Sequence, residues 1–518
     1  MRPWTRLECA HLVEDASDSV NEGRTGASDA SALVDALETE FAYELKLFQK
    51  GSRPGIRLES VYSRMTGITG KPLADSYHFG QTITNDYGRP FEQGFNDISG
   101  FSGYAGAGRF SIYIRGEYQH APPAPGYSLA VRQAIAVADR NPLQPANAVA
   151  AANQFRLLDT YVGAGLKQWE FTFGKQSLWW GPAEGGALML SDNAEPILMF
   201  RGRRTVATEL PWILRYLGPA KAEFFFGQLA GNEFPPRPLL HGEKISFKPT
   251  ANLEWGFSRT SEFGGVGRSL TLAAVFNSYF SWKSSDLYRA NGNPGKRTLG
   301  FNFSYKIPKL RDWLTLYVDG LLPEANNTPF DTSTNPFNAP RRSALRPGIY
   351  LSRAPGLPKL DFRAEAVYTD PPTARSLNGQ YIYWNDHYHD LYTNKNNIIG
   401  DWIGREGMGF EGWSTYWFSP RNSVEFQYRH ARVAPDFIPG GETVNDGSLK
   451  LDWWVRRDLS FSASVQYEQW KAPLLAPSPQ SNWTSSVEIS FHPQKLFQRS
   501  VTGRAGPAQS VTGNQARP

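Results

Sequence analysis

The chain has 518 residues, of which 40% are hydrophobic and 14% aromatic, and its formal net charge is +5. Gln494 to Pro518 supplies four of those charges through Lys495, Arg499, Arg504 and Arg517, so the remainder is about +1 and no nucleic-acid-binding field is built in. No run approaches the roughly 18 apolar residues of a membrane-spanning helix, which leaves β-barrels untouched because their strands dilute the apolar signal by half.

Residues 1–50 read as helical. Thr5 and Glu8 form a capping box ahead of Leu7, Leu12 and Val13, and Leu33, Leu37, Phe41, Leu45 and Phe48 recur at spacings of 3 and 4. The N-terminus lacks the apolar core and small-residue cleavage site of an export signal. For an exported chain, the expectation is an upstream signal peptide and a truncated helical bundle. The single Cys9 forms no intramolecular disulfide, which suits an outer-membrane and a cytosolic protein equally.

From about residue 55 to 492 the period becomes 2. In "GRFSIYIRGEY" (108–118), Phe110, Ile112, Ile114 and Tyr118 share one face, and Ser111, Tyr113, Arg115 and Glu117 the other. The same split recurs in "TLGFNFSYKI", "LDFRAEAVYT", "SVEFQYRH" and "DLSFSASVQYEQ". Short turns near 106–108, 249–252, 307–312, 354–358, 419–422 and 456–457 stand among long loops near 120–152, 177–218, 282–296, 321–345, 370–400 and 432–447. Tight turns at one end and long loops at the other describe an up-and-down meander. About 19 strands can be picked out, and an even-numbered barrel makes that 18 or 20. A soluble sandwich would need a second layer over each apolar face, and nothing in the pattern supplies one. The expectation is an all-β transmembrane chain: an antiparallel outer-membrane barrel over 55–492, a small periplasmic helical segment over 1–50, and a disordered basic tail over 493–518. "SNWTSSVEISF" ends on Phe491, as strands recognised by barrel-insertion machinery do.

Several motifs can touch a ligand. "WWGP" places Trp179 and Trp180 together, either as a stacking platform for sugar C–H faces or as an interfacial or loop wedge. Arg201, Arg203 and Arg204 in "RGRR" can grip the carboxylates of an acidic glycan, or pair with lumen acids such as Glu170 or Glu254. "YIYWNDHYHD" offers Trp384, His387 and His389 beside Asp386 and Asp390. His-x-His with carboxylates can hold zinc or copper, but no third ligand stands at a recognisable spacing. Walker and Gly-x-Ser-x-Gly signatures are absent, and no carboxylate pair is singled out for glycoside hydrolysis.

The most distinctive text lies between 167 and 265. "FTFGKQSLWWGPAEGGALMLSDNAEPILMF", "FFFGQLAGNEF" and "GEKISFKPTANLEWGFSRTSEFGG" together resemble the capsule assembly protein Wzi family. The resemblance implies an 18-stranded outer-membrane barrel with a periplasmic helical bundle, and a lectin that helps capsular or other extracellular polysaccharide attach to the cell surface. It implies no catalysis, cofactor or metal, and the partners would be polysaccharide and outer-membrane lipid, with the chain a monomer. The alternatives are a porin or polysaccharide export channel, against which bulky Trp413 and Trp417 suggest a plugged lumen, and a glycan hydrolase. For the lectin, the expectation is retention of an acidic polysaccharide, weakened by salt through the three arginines.

Overall fold

The computed structural model describes residues 6–21, 28–41, 45, 55–268, 270–273, 275–276, 297–323, 342–372, 378–385, 387–390 and 392–493. Thr5, Phe48, Asp386, the loops 277–296 and 324–341, and the tail from 494 lie outside the described residues. Two helices, Arg6–Asn21 and Ser28–Glu40, precede the first strand, Gly55–Ile68. The last strand, Gln480–Phe491, hydrogen-bonds back to the first, with Val61 opposite Phe491 and Ile68 opposite Thr484. Every neighbouring pair is antiparallel, so the sheet closes with no free edge.

Eighteen staves form the wall among the described residues; the two-residue strand Thr208–Glu209 continues the stave of Ile197–Arg204 along the same neighbour, Pro219–Gln228. Both chain ends of the barrel lie at the short-turn end. The helices lie there too: the Arg421 guanidinium, in the turn between Gly407–Ser419 and Asn422–Val433, donates to the Ala36 carbonyl at 3.3 Å. Short turns face the periplasm in outer-membrane barrels, which orients the long loops outward.

The two faces of the stretch 108–118 separate as alternation requires. Phe110 and Ile112 are 62% and 51% exposed, whereas Glu117 on the other face is fully buried in the lumen. An outward apolar belt continues around the barrel through Phe173, Phe200, Phe257, Phe362, Phe426 and Leu449. Aromatic rings flank it at both ends: Tyr416, Phe418 and Trp453 near the inner turns, Tyr467 and Trp483 near the outer loops. This is the aromatic girdle that lipid headgroups favour. Leu449 stands midway along Glu442–Arg456, opposite Phe426 and Val465. Leu449→Arg is therefore expected to cost about 2–4 kcal/mol of folding free energy, measured by reversible denaturant titration in lipid vesicles. A cost near zero would place this face in water.

The connection read as one long loop over 177–218 contains the stave Ile197–Arg204, and the loop over 370–400 contains a small hairpin, Thr393–Asn394 with Asn397–Ile398. The physical reason for the first miss is visible in "ILMF". Leu198 and Phe200 face lipid, while Ile197 and Met199 are buried against apolar loops inside the barrel, so hydropathy does not alternate.

Those loops are the molecule's main core. Segments 69–93, 122–151, 177–196 and 434–441, with the described residues of 369–406, fold back and bury Phe79, Trp180, Leu188, Met189, Ile382, Tyr383, Trp402 and Ile403 within the outer part of the lumen. Wall and plug are joined by charge. Arg346 donates to Glu365 at 2.8 Å and to Asp401 at 2.8 Å, and also pairs with Glu411. Glu365 accepts from the Glu184 and Gly185 amides, and Asp319 from the Leu188 amide at 2.8 Å. A Cβ on Gly185 would collide with the Arg346 guanidinium and the Glu411 carboxylate, so only glycine lets the backbone pass that close.

Candidate functional site: a cleft at the outer mouth

The helix Leu129–Asp139 rides on the plug. Ser128 caps it by accepting from the Val131 amide at 3.3 Å, and Arg140 ends it in the left-handed region at φ 56°. That turn carries the Arg140 guanidinium over the Trp384 ring, 5.1 Å from its centroid. Asp139, the last helical residue, meets His78 Nε2 at 2.8 Å, and His78 Nδ1 meets Asp75 at 2.8 Å. With a carboxylate at each ring nitrogen, His78 is an imidazolium. Burial would lower its pKa, but Asp75 and Asp139 raise it to about 10. Burial would likewise raise Asp139, and His78 with Arg405 brings it down to about 2. Arg405 pairs with Asp139, donates to the Ala138 carbonyl at 3.2 Å, and lies between the Tyr77 and Phe437 rings.

Beside this latch lies a cleft of about 690 Å³, continuous through His78, Tyr127, Ile135, Asp139 and Asn147 with a second hollow of about 260 Å³. Its open surface combines the rings of Tyr127 and Phe234 with the amides of Asn141, Gln144, Asn147 and Asn396. Phe234 is backed on one ring face. His389 stacks on it at 6.3 Å between centroids, and Trp384 stacks on His389 at 5.8 Å. The Asp390 carboxylate accepts from the Phe234 amide at 3.3 Å, and His389 Nδ1 lies 2.5 Å from Asn141 Oδ1. Burial raises the pKa of Asp390. A separate cavity of about 550 Å³ lies at the inner end, lined by Arg64, Lys450, Asp452 and Glu488.

The residues singled out from sequence fall in three places. Trp179 and Trp180 belong to the plug: Trp179 Nε1 donates to the Ala183 carbonyl at 3.1 Å, and Trp180, 1% exposed, packs edgewise on Phe225. Neither forms an open platform with the cleft. Arg201 lies under the plug and pairs with buried Glu223; Arg203 pairs with Glu170, and Arg204 donates to Gln168 Oε1 at 2.6 Å near an inner turn. These guanidiniums are engaged with the wall and do not meet the outer cleft. Trp384 and His389 do come together, as the backing of Phe234 rather than as its surface. His387 stands in a tight turn closed by the Asn385–Tyr388 bridge, so it does not share an extended face with His389; its carbonyl accepts from Arg268 at 2.8 Å. Trp413 is buried and faces the lumen, and Trp417 Nε1 donates to Asp361 at 2.7 Å.

Phe234, Tyr127 and the amides of 141–147 escaped the sequence reading. "RNPLQPAN" is a proline-broken run of amide side chains, and only the fold shows that it borders a cleft.

The family profile of the capsule assembly protein Wzi matches residues 64–485. A protein of Klebsiella pneumoniae described as an uncharacterized 55.8 kDa protein in the cps region is 28% identical over 168 residues, 31% of this chain. That match spans about a third, 32%, of the relative's own length. Among solved structures, Wzi of Escherichia coli superposes with a TM-score of 0.65 at 17% identity, over 95% of this chain and 93% of that one. That protein is described as an outer-membrane, carbohydrate-binding β-barrel involved in group 1 capsule assembly, and at such identity the likeness speaks for the fold. The closed lipid-faced barrel and a family match over most of its length lead to one conclusion: the chain is an outer-membrane β-barrel and belongs to the capsule assembly protein Wzi family.

Proposed function

We propose that this barrel is a surface lectin that binds capsular or other extracellular polysaccharide at the outer cleft and helps hold it at the cell. The observation that carries the reading is the cleft itself: two partly open rings, Phe234 and Tyr127, set among the side-chain amides of Asn141, Gln144 and Asn147 at the extracellular mouth. Ring faces suit the C–H faces of sugars, and amides match hydroxyls both as donors and as acceptors. The packed plug behind it supports a binding face over a diffusion pore, and the carbohydrate binding described for the Escherichia coli protein supports it independently.

Recognition on this surface draws on rings and amides: Arg201, Arg203 and Arg204 are engaged elsewhere, and Arg132 in the cleft lining donates to the Tyr127 and Gln144 carbonyls and is set among the acids Asp139, Glu233 and Asp390. The expected result is retention of polysaccharide by the purified barrel on a glycan array, weakened about tenfold by Phe234→Ala, or about 1.4 kcal/mol. Replacing the three arginines is expected to change it little. Retention that survives Phe234→Ala but is abolished by salt and by loss of the arginines would move the site to the inner lumen. Steady ionic conductance in planar bilayers would favour the porin reading, and release of reducing ends a hydrolase.

A further inference from the structure

Three acids converge at the outer rim, away from the cleft surface just described. Asp370 follows the stave Leu360–Tyr368, Glu406 precedes Gly407–Ser419, and Asp436 follows Asn422–Val433. These staves are consecutive in the wall: Tyr368 pairs with Met408, and Gly407 with Val433. Each therefore delivers one carboxylate to the same stretch of rim. The backbone is tied there, the Thr369 amide donating to the Gly407 carbonyl at 2.8 Å and the Ala434 amide to the Glu406 carbonyl at 2.7 Å.

One oxygen from each carboxylate lies within 4.8 Å of the other two. Oxygens that share one Ca²⁺ at about 2.4 Å stand at most about 4.8 Å apart. Asp370 and Glu406 are buried, 4% and 3% exposed, while Asp436 is open to solvent. A second observation points to a ligand. Both carboxyl oxygens of Glu406 are buried and meet no donor N–H or O–H among the described residues; the group facing them is the Asp436 carboxyl. Arg405, next in the chain, donates instead to Asp139, Ala138 and Gly379. Carboxylates that face one another are acceptor against acceptor, so a proton or a cation must stand between them.

We propose that Asp370, Glu406 and Asp436 bind a hard divalent cation, Ca²⁺ by preference, at the extracellular rim. The donor set is all oxygen, which selects Ca²⁺ or Mg²⁺ over softer metals, and Ca²⁺ tolerates irregular geometry where Mg²⁺ demands a near-ideal octahedron. Exposed Asp436 gives the ion its entry path. Once bound, the ion clamps the 434–441 loop and the 369–406 loop to the wall.

The test is calorimetric titration of CaCl₂ into the full chain in detergent, after chelator treatment and removal of the chelator, at pH 7.5. The expected result is saturable uptake of one equivalent, with a rise in thermal midpoint on adding Ca²⁺. Asp436→Asn is expected to weaken binding about tenfold or more and to abolish that rise. It changes an exposed residue, so it decides the question even if Glu406→Gln does not fold. Absence of saturable uptake by the unmodified chain, or equal affinity in Asp436→Asn, would overturn the site and leave a proton-sharing acid cluster.

Discussion

Replacing Arg346 with methionine is expected to loosen the plug while leaving the barrel closed. The guanidinium is fully buried and answers three carboxylates at once: Glu365 and Glu411 from the wall, and Asp401 from the plug. Removing it leaves those three acids facing one another without a cation. Breaking a buried ion pair from one side typically costs about 3–5 kcal/mol, because the orphaned charge keeps its desolvation penalty. The wall's interstrand hydrogen bonds do not pass through this cluster, so heat-modifiable migration on detergent gels is expected to survive. At this corner the plug is attached through Glu365 to the Glu184 and Gly185 amides and through Asp319 to the Leu188 amide, and within the plug Trp402 Nε1 donates to the Gly185 carbonyl at 2.8 Å. All of these converge on the same "EGGAL" turn, while other corners keep their own anchors, such as Arg64 to Asp86 and Arg156 to Glu195. Arg346→Met should therefore raise hydrogen exchange across 183–190, admit protease to the loops, and raise ionic conductance above that of the unmodified barrel. Arg346→Lys keeps a charge but not the planar fork, so an intermediate effect is expected. Unchanged exchange at 183–190 in Arg346→Met would show that the apolar plug core holds by itself.

That cluster also explains why the family-like text of residues 171–200 is so distinctive. The text codes for the plug, where Gly185 must pass buried charges and Ala187, Leu188 and Met189 must fill a lumen that in the other staves is polar. The barrel was legible because lipid on one side and water or buried charge on the other impose a period of 2: Phe110 against Glu117, Phe362 against Glu365, Phe426 against Arg429. Legibility failed where both faces turn apolar. Ile197–Arg204 runs past the plug core, and so does "FFFGQ", where Phe225 is buried under Trp180. The arginines of "RGRR" were nameable with their structural partner Glu170, since a lumen-facing arginine beside a lumen-facing acid pairs by register alone: Arg203 stands opposite Glu170. The cleft was not nameable. Its rings and amides come from loops separated by about ninety residues or more, and no local spacing records that Phe234 will be stacked on His389 and will face Asn141.

The latch beneath the cleft is expected to weaken as the medium becomes alkaline. His78 joins the 69–93 loop to the helix Leu129–Asp139 through Asp75 and Asp139, and Arg405 reaches the same Asp139 from the 369–406 loop. Among the described residues no other charged side chain forms an ion pair with the imidazole; the Tyr127 hydroxyl stands 3.5 Å from Asp75. The folded pKa of His78, about 10, lies above the ordinary 6.5. Its contribution is therefore fully present below pH 6.5 and is lost progressively as pH rises toward 10. Asp139 has the opposite sign: at about 2 against an ordinary 3.8, it contributes above pH 4 and loses that contribution as pH falls through 2. The helix is thus held most firmly between about pH 4 and 6.5, and partly released above. Amide protection factors across 129–139, corrected for the intrinsic rate at each pH, are expected to fall by about a hundredfold or more between pH 6.5 and 10, while those of the wall staves stay level. His78→Gln removes the cation from buried Asp139 and half-buried Asp75, so protection should be low at pH 6.5 already and should lose its alkaline slope; Arg405 keeps Asp139 paired, which limits the damage to this corner of the plug. Polysaccharide retention should follow the helix, because Asn141, Gln144 and Asn147 hang from its C-terminal end and form one wall of the cleft. Protection that stays flat from pH 6.5 to 10, or a slope that persists in His78→Gln, would remove the imidazolium from this role and leave the helix held by Val131 and Ala138 packing on the plug core.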